Sequence, residues 1–408
     1  LDILVDELEG SLWVATVENN TLIGLEIDPA YEEVRWGSIY WAKVTYIDKA
    51  MDAAFVDLDS DNSGILFNKD VRIRDKKGKV QKGGDVAIGK LLKPGDMVAV
   101  QAKSGYLPRL DSTDLTMEDK SATVSMDITL PGRHLILSPL MEENRISKRI
   151  HDKKQRKQLT KMLNSVENIQ GCILRASAAN VQTDILIREG KILKEIWEQL
   201  QQFFTGNEVS TIMLGPDAVQ RTLSDQAGKT ISSISIVTME QYQEVEEWCE
   251  IYAPDLVTKI KPVELPDQEL DLGLFDFNGV LDPIEDLFQP YVLMKGGGNI
   301  IIQETAALCA IDINRGSDTR SNLTINLEAI KEVSRQIRLR NLGGIIVVDF
   351  LRMKGKKEKE AFMKALDEIV VSDPCTVQIH GMTNVGLIEL TRKRRTPALQ
   401  DRLELGLE

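Results

Sequence analysis

The sequence predicts a multi-domain α/β protein, and three observations carry that expectation. Its 408 residues exceed what one hydrophobic core normally holds, so roughly two to four units are expected. From Trp36 onward the chain breaks into short, glycine-punctuated β segments. From Thr211 onward it alternates apolar strands with amphipathic helices, the pattern of sheets joined by crossover helices.

Taken in order, residues 12–17 and 22–27 read as short strands. Residues 39–47, 53–58, 64–67 and 97–102 are further strands, and the turns between them suggest a small antiparallel barrel. Two polar stretches, 72–84 and 104–119, read as loops of that barrel. Residues 135–138 and 173–175 are strand-like, and 153–163 carries a helical pattern. In 185–204, helical spacing puts Leu193, Ile196, Trp197, Leu200 and Phe203 on one side. Then come strand 212–214, helix 218–223, strand 234–237 and helix 240–252, followed by an acidic, proline-bearing connection at 263–271. Residues 299–303 and 307–313 are extended runs. A helix at 327–339 has Leu327, Ile330 and Ile337 on one stripe and is stopped by Gly343 and Gly344; residues 345–350 follow as a strongly apolar strand.

Composition narrows the class. An apolar fraction of 42% is ordinary for a globular chain. No run of about 18 apolar residues occurs, so no membrane-spanning helix is expected. The first six residues lack the basic-then-apolar order of a signal peptide, and Leu1 in place of an initiating Met leaves room for an upstream segment. Cys172, Cys249, Cys309 and Cys375 form no CxxC pair, which argues against a zinc knuckle or a disulfide scaffold and fits a reducing cytoplasm. A net charge of -13 runs against gripping a polyanion by charge alone. The basic residues do cluster, at Arg145, Lys148, Arg149, Lys153, Lys154, Arg156 and Lys157 and again at Arg392, Lys393, Arg394 and Arg395. A charge run is usually a solvated face, so neither cluster marks a site by itself.

Chemistry concentrates in one region. Asp312 and Asn314 close an apolar strand in the run AIDIN, and Asp349 closes the next in IIVVDF. Carboxylates rarely sit on buried strands without a partner. If the intervening helix is a crossover, the strands are parallel neighbours and both acids reach the carboxyl edge, where α/β sheets place ligands. Two carboxylates about 5 Å apart repel by ~3 kcal/mol at an effective dielectric near 20. A divalent cation removes that repulsion, and magnesium takes one or two carboxylates while keeping waters for a phosphate substrate. Asn314, two residues on along the same strand face, is placed either to fix the Asp312 carboxylate or to touch a water ligand of the ion. Spacing alone leaves a second reading equally open, in which these acids cap turns or pair with Arg320 or Arg338. Other chemistries find no footing: His134, His151 and His380 are scattered, and neither GxSxG nor a Walker phosphate loop occurs. Gly296, Gly297 and Gly298 read as a turn before a strand.

At this stretch the chain resembles a known family. AIDIN followed by NLEAIKEVSRQIRLRNLGGIIVVDF closely resembles the catalytic segment of the ribonuclease E/G family. KGGGNIIIQETAAL resembles its lead-in strand, and DITLPGRHLILSP with ISKRI the start of its 5′-sensor region. GSIYWAKVTYIDKAMDAAFVDLDSDNSGILF resembles its RNA-binding barrel, and PDLVTKIKPV its RNase H-like part. The resemblance implies an RNase H-like domain (1–35 and 211–283) interrupted by an OB-fold barrel (36–125) and a 5′-sensor region (126–210), then a DNase I-like catalytic domain (284–408). It implies hydrolysis of single-stranded, often A/U-rich RNA, leaving a 5′-phosphate, in RNA processing or decay. By motif position Asp312 and Asp349 match the magnesium ligands, Asn314 a supporting amide, and Phe55 and Lys120 RNA contacts of the barrel. Arg175 matches the phosphate-binding arginine of the sensor, with Gly132 and Ile136 as pocket floor. For Phe55, flanked by Ala54 and Val56, core packing is the competing reading.

The sequence also departs from the family pattern. Ile65 stands where a second aromatic is expected, so one stacking platform is missing. Ala176 replaces a hydroxyl-bearing residue, Lys148 an arginine and Thr376 another arginine, which weakens the expectation of 5′-monophosphate sensing. Ala306 stands for a glutamate, for which Glu304 is a candidate substitute, and Arg352 stands where an acid is common. The cysteine pair that shares zinc between subunits is not found, so no zinc is expected and any homo-oligomer forms without that link. The expectation is therefore a magnesium-dependent endoribonuclease of a bacterial-type cytoplasm, or alternatively of an organellar stroma or matrix, with single-stranded RNA as partner. The alternative is an RNA-binding protein on the same fold with weak or lost cleavage, and a third reading is a small-substrate phosphodiesterase.

Overall fold

The computed structural model describes all residues except 32–33, 75–79, 106–120, 148–149, 151–152, 166–169, 264–272, 306 and 404–408. The chain is a mixed α/β protein of two compact units, each built from more than one stretch of sequence. One comprises residues 1–30, 232–242 and 261–408; the other comprises 31–231 and 243–260.

The first unit opens with three antiparallel strands, Asp2–Leu8, Ser11–Glu18 and Thr21–Asp28. Both hairpins turn on two residues of positive φ, Glu9 with Gly10 and Asn19 with Asn20, the backbone that suits the right-handed twist of the flanking strands. Asp2–Leu8 also pairs in parallel with Ser233–Ile236, so the amino terminus is stitched to a segment more than 200 residues away. The strand at the amino terminus is absent from the sequence reading, since its alternation is short and interrupted by Asp6.

The same unit holds a six-stranded sheet in the order Tyr291–Leu293, Asn299–Glu304, Cys309–Asn314, Gly344–Asp349, Ile388–Lys393 and Thr376–Met382. Its parallel pair is Cys309–Asn314 with Gly344–Asp349, and the helix Asn322–Leu339 is the crossover between them. That helix starts earlier than the apolar stripe indicates, because Ser321 caps it by accepting from the Thr324 N–H at 3.2 Å. Alternation along the strands buries Ile300, Ile302, Ile311, Ile313, Ile346, Val348, Ile388 and Leu390 in one core. The core is closed by Ile325, Ala329, Ile330 and Val333 of the crossover helix and by Phe362 and Leu366 of Gly355–Val370. The opposite face carries exposed residues, among them Asp312, Asp349, Tyr291 and Leu293.

In the second unit, Ile39–Asp48, Ala53–Asp57, Ser63–Phe67, Ala122–Ser125 and Met97–Ala102 pair in that order, and Met97–Ala102 pairs back onto Ile39–Asp48. This five-stranded sheet is closed on itself around Val44, Val56, Leu66, Val100 and Val124. Four of its strands are those the sequence anticipates, while the fifth, Ala122–Ser125, is not among them and pairs in parallel with Ser63–Phe67, so the barrel is not wholly antiparallel. Residues 72–84 are not simply a loop: Arg72–Arg74 and Val80–Lys82 pair as a two-stranded ribbon. The stretch 104–119 lies largely outside the described residues. A small sheet of Leu130–Pro131, Leu135–Leu137, Cys172–Leu174 and Arg145–Ile146 packs with the helices Lys153–Ser165 and Thr183–Gln201 around Leu135, Leu137, Leu159, Leu174, Leu186 and Leu193.

Candidate active site

Asp312 is aimed outward by its neighbours. Cys309, Ile311 and Ile313 are buried, so strand alternation puts Ala310, Asp312 and Asn314 on the open face. The same rule buries Ile346 and Val348 and exposes Asp349. In the parallel ladder Asp312 and Asp349 are direct partners, so their Cα atoms are one strand spacing apart, about 4.8 Å, and both side chains leave the same face. Asn314 Nδ2 donates to Asp312 Oδ2 at 3.0 Å, as the two-residue spacing anticipates.

The competing reading, in which these acids pair with arginine, is not what the fold builds. The Arg320 guanidinium reaches Asp318 at 2.5 Å and Glu328 at 2.6 Å, and Arg338 donates to the Ser334 hydroxyl at 2.9 Å. Among the described residues Asp312 keeps only its Asn314 contact. Two exposed, adjacent carboxylates suit a magnesium ion that keeps most of its waters, and the donor set fits the group. Among the described residues no set of three His, Cys, Asp or Glu side chains surrounds a common point.

Two expectations near this pair need correction or qualification. Glu304 does not join the acids: it is opposite Cys309, three pairs along from the partner of Asp312, and has the alternation of the helix-covered face. Its electrostatic neighbours are Arg394, Asp401 and Arg340, while burial raises its carboxyl pKa. Ala306 lies outside the described residues; Arg352 is exposed. One residue was missed. Glu389 faces Val347 across the ladder, on the face of Asp349 and diagonal to it. No local motif marks it, because its strand joins the sheet from 40 residues further on.

Gly296, Gly297 and Gly298 form the expected turn, and their lack of side chains has a reason. A Cβ on Gly296 would be 2.1 Å from Asp318 and Arg320, and one on Gly298 would be 2.6 Å from the Asn314 carbonyl. The turn is pressed against the segment leaving the acid-bearing strand.

In the second unit, Arg175 and Gly132 do come together: an Arg175 Nη1 donates to the Gly132 carbonyl at 3.2 Å. The other Nη of Arg175 pairs with Asp225 at 3.0 Å, and that Asp225 side chain is only 8% exposed. Behind Gly132, the buried Glu189 carboxylate accepts from the His134 and Leu135 N–H groups at 2.9 and 3.0 Å. Burial raises the Glu189 pKa, those two N–H groups opposing it. His134 is held down to about 4, first by burial and then by Arg133 and Arg175, with Asp255 opposing. Ile136 alternates away from the buried Leu135 and Leu137, and Lys148 lies outside the described residues.

On the barrel, Phe55 is half-buried, while Ala54 and Val56 beside it enter the core. Ile65 is its partner on one side and Tyr46 on the other. A bulge between Val44 and Tyr46 inserts Thr45 and re-aims Tyr46 outward, where it is 58% exposed with its ring 6.2 Å from that of Phe55. Tyr46 escaped the sequence reading because regular alternation would turn it inward. Lys120 lies outside the described residues.

A model of the ribonuclease E/G family matches residues 129–395. The chain belongs to the ribonuclease E/G family. It is 27% identical to Ribonuclease G of Haemophilus influenzae over 98% of this chain and 81% of that protein. It is 28% identical to Ribonuclease G of Escherichia coli K12, again over 98% and 81%. Against Ribonuclease E of Haemophilus influenzae it is 28% identical over 95% of this chain and 41% of that longer protein. Membership agrees with the resemblance seen in the sequence, and the enzyme class expected there, an endoribonuclease, is that of the ribonuclease E/G family. Among the described residues no helix is long and apolar enough to cross a membrane.

Proposed function

We propose that this chain is a magnesium-dependent endoribonuclease that hydrolyses single-stranded, A/U-rich RNA in RNA processing or decay. The observation that carries this reading is the register pairing of Asp312 with Asp349 on an open sheet face, in a member of this family. Asp312 and Asp349 would hold the ion, which when bound would supply charge stabilisation at a phosphate oxygen and lower the pKa of an attacking water. The P–O3′ bond then breaks, leaving a 3′-hydroxyl upstream and a 5′-phosphate downstream. Asn314 fixes the Asp312 carboxylate through its amide. Phe55, with Tyr46 beside it, offers flat rings to unpaired bases, and Lys120 a backbone cation. Arg175, Gly132, Ile136 and Lys148 form the candidate 5′-phosphate sensor.

Within this proposal, residues 1–35 and 211–283 are RNase H-like, 36–125 an OB-fold barrel, 126–210 the sensor region and 284–408 a DNase I-like catalytic domain. The closed five-stranded barrel and the helix-backed six-stranded sheet support that division. The site of action is the cytoplasm, with four buried thiols suited to a reducing compartment.

Among the described residues no third ligating side chain joins Asp312 and Asp349, and Glu304 is turned away, which favours the second reading, an RNA-binding protein with weak or lost cleavage. The deciding experiment incubates a 5′-labelled A/U-rich oligoribonucleotide with wild type and Asp349→Asn, with and without magnesium. Magnesium-dependent cutting by wild type alone is expected. Binding without cutting selects the second reading, and cutting that survives Asp349→Asn removes the site assignment.

A further inference from the structure

The backbone leaves the sheet directly after Asp349 and, on the neighbouring strand, after Asn314, two residues beyond Asp312; from there the ladder no longer holds either segment. Residues 350–354 have no regular structure between the strand Gly344–Asp349 and the helix Gly355–Val370. One helix turn takes over that task for both acids. Asn326, 0% exposed, donates Nδ2 to the Leu351 carbonyl at 2.7 Å and accepts from the Leu351 N–H at 3.0 Å. Its side chain thus pairs with the segment two residues after Asp349 as another strand would. One turn earlier, Asn322 donates Nδ2 to the Arg352 carbonyl at 2.7 Å and accepts from the Arg315 guanidinium. Arg315 directly follows Asn314 and also donates to the Asp318 and Arg320 carbonyls at 2.8 and 2.7 Å.

Asn326 occupies a core position of its helix, flanked by Ile325 and Ala329, where an apolar residue would suit both packing and helix propensity better. A buried amide at such a position is costly unless fully hydrogen-bonded. Here its bonds go to one place, the exit from the Asp349 strand. Asn322 connects that exit to the exit from the Asp312 strand through a single side chain.

We propose that Asn322 and Asn326 are positioning residues for the acid pair, fixing the separation of Asp312 and Asp349 by clamping both strand exits to the first turns of the crossover helix. This rests on the metal reading of the two acids. An ion with strict octahedral demands tolerates little drift between its carboxylates, so groups that touch neither ion nor RNA can set its affinity.

The test is calorimetric titration of the purified full chain with manganese, a magnesium surrogate, for wild type, Asn322→Ala, Asn322→Asp, Asn326→Ala and Asp349→Asn. Melting temperature, and kcat and KM for a single-stranded oligoribonucleotide, are followed alongside. Asn322→Ala should weaken ion binding by about tenfold and lower kcat, with KM for RNA and the melting temperature nearly unchanged. Asn322→Asp, which keeps the acceptor for Arg315 and loses the donor to Arg352, should fall between. Asn326→Ala should weaken the ion at least as much; if it fails to fold, the half-buried Asn322 still decides. Wild type that binds the ion while Asn322→Ala binds it equally well overturns the positioning role alone. Wild type that takes up no ion, like Asp349→Asn, overturns the metal reading and this inference with it.

Discussion

Arg175 and Asp225 form an ion pair at 3.0 Å in which the carboxylate is almost wholly buried and the guanidinium only 22% exposed. The arginine assigned by motif to a 5′-phosphate is therefore already neutralised by a neighbour within its own unit. A phosphate arriving there has to displace a charge-assisted hydrogen bond that is shielded from water.

It follows that wild type should cut 5′-monophosphorylated and 5′-hydroxyl oligoribonucleotides with kcat/KM values within about threefold of each other, a difference under ~1 kcal/mol. Asp225→Asn should release Arg175 and raise the preference for the monophosphate. A strong preference in wild type, abolished by Arg175→Ala, would show that the pair opens readily for substrate.

Asp349→Asn should reduce kcat by roughly a thousandfold, since the amide cannot supply the charge that holds the ion and metal stabilisation contributes several kcal/mol. Asn314→Ala should cost less, about tenfold, because it removes only the 3.0 Å bond that steadies Asp312. Single-turnover cleavage at saturating magnesium separates the two effects. Equal losses would mean that Asn314 does more than orient its neighbour.

Tyr46→Ala should weaken binding of a single-stranded oligoribonucleotide to the cleavage-deficient Asp349→Asn protein by roughly 1–3 kcal/mol, the value of one stacked base. Phe55→Ala should do the same. With the rings only 6.2 Å apart, the double variant should show coupling rather than simple addition. Fluorescence anisotropy with a labelled oligonucleotide measures all four affinities. Unchanged binding in Tyr46→Ala would make its outward turn a feature of the barrel alone.

His134 gives a prediction in pH. Its folded value of about 4 is below the ordinary 6.5, so between these values the unfolded chain holds the extra proton. Stability should therefore be intact above pH 6.5 and fall as the pH drops toward 4, at up to 1.36 kcal/mol per unit. Between pH 7 and pH 5 this single group should cost about 2 kcal/mol. Urea unfolding of wild type and His134→Gln at the two pH values isolates it, and the variant should lose less on acidification. Parallel losses would assign the acid sensitivity to other groups.

Several features were legible in the chain before any folding was considered. AIDIN and IIVVDF announce two apolar strands that each end in an acid, and the stripe of Leu327, Ile330 and Ile337 between them announces a helix. From these the parallel pairing and the shared edge follow, since a crossover helix makes its flanking strands parallel. Four of the five barrel strands were legible for the same reason, being short apolar alternations bounded by turn residues; the four-residue strand Ala122–Ser125 was not. Periodicity is a local property, so it survives in the linear text.

Other features depend on which distant segments meet. Glu389 reaches the acid face only because its strand inserts beside Gly344–Asp349, and Arg175 is neutralised by a carboxylate 50 residues away. Tyr46 faces outward through one bulged residue, and Glu304 turns from the acid pair through alternation counted from a partner strand. Asn322 and Asn326 lie before the helix that the sequence announces and draw no attention until the exit from the Asp349 strand comes to lie against them. Strand order, register and the partners of buried polar groups are fixed by long-range packing, where one residue of slip reverses which face a side chain takes. Local sequence carries the strands and the helix that bear the acids; only the assembled sheet sets what surrounds them.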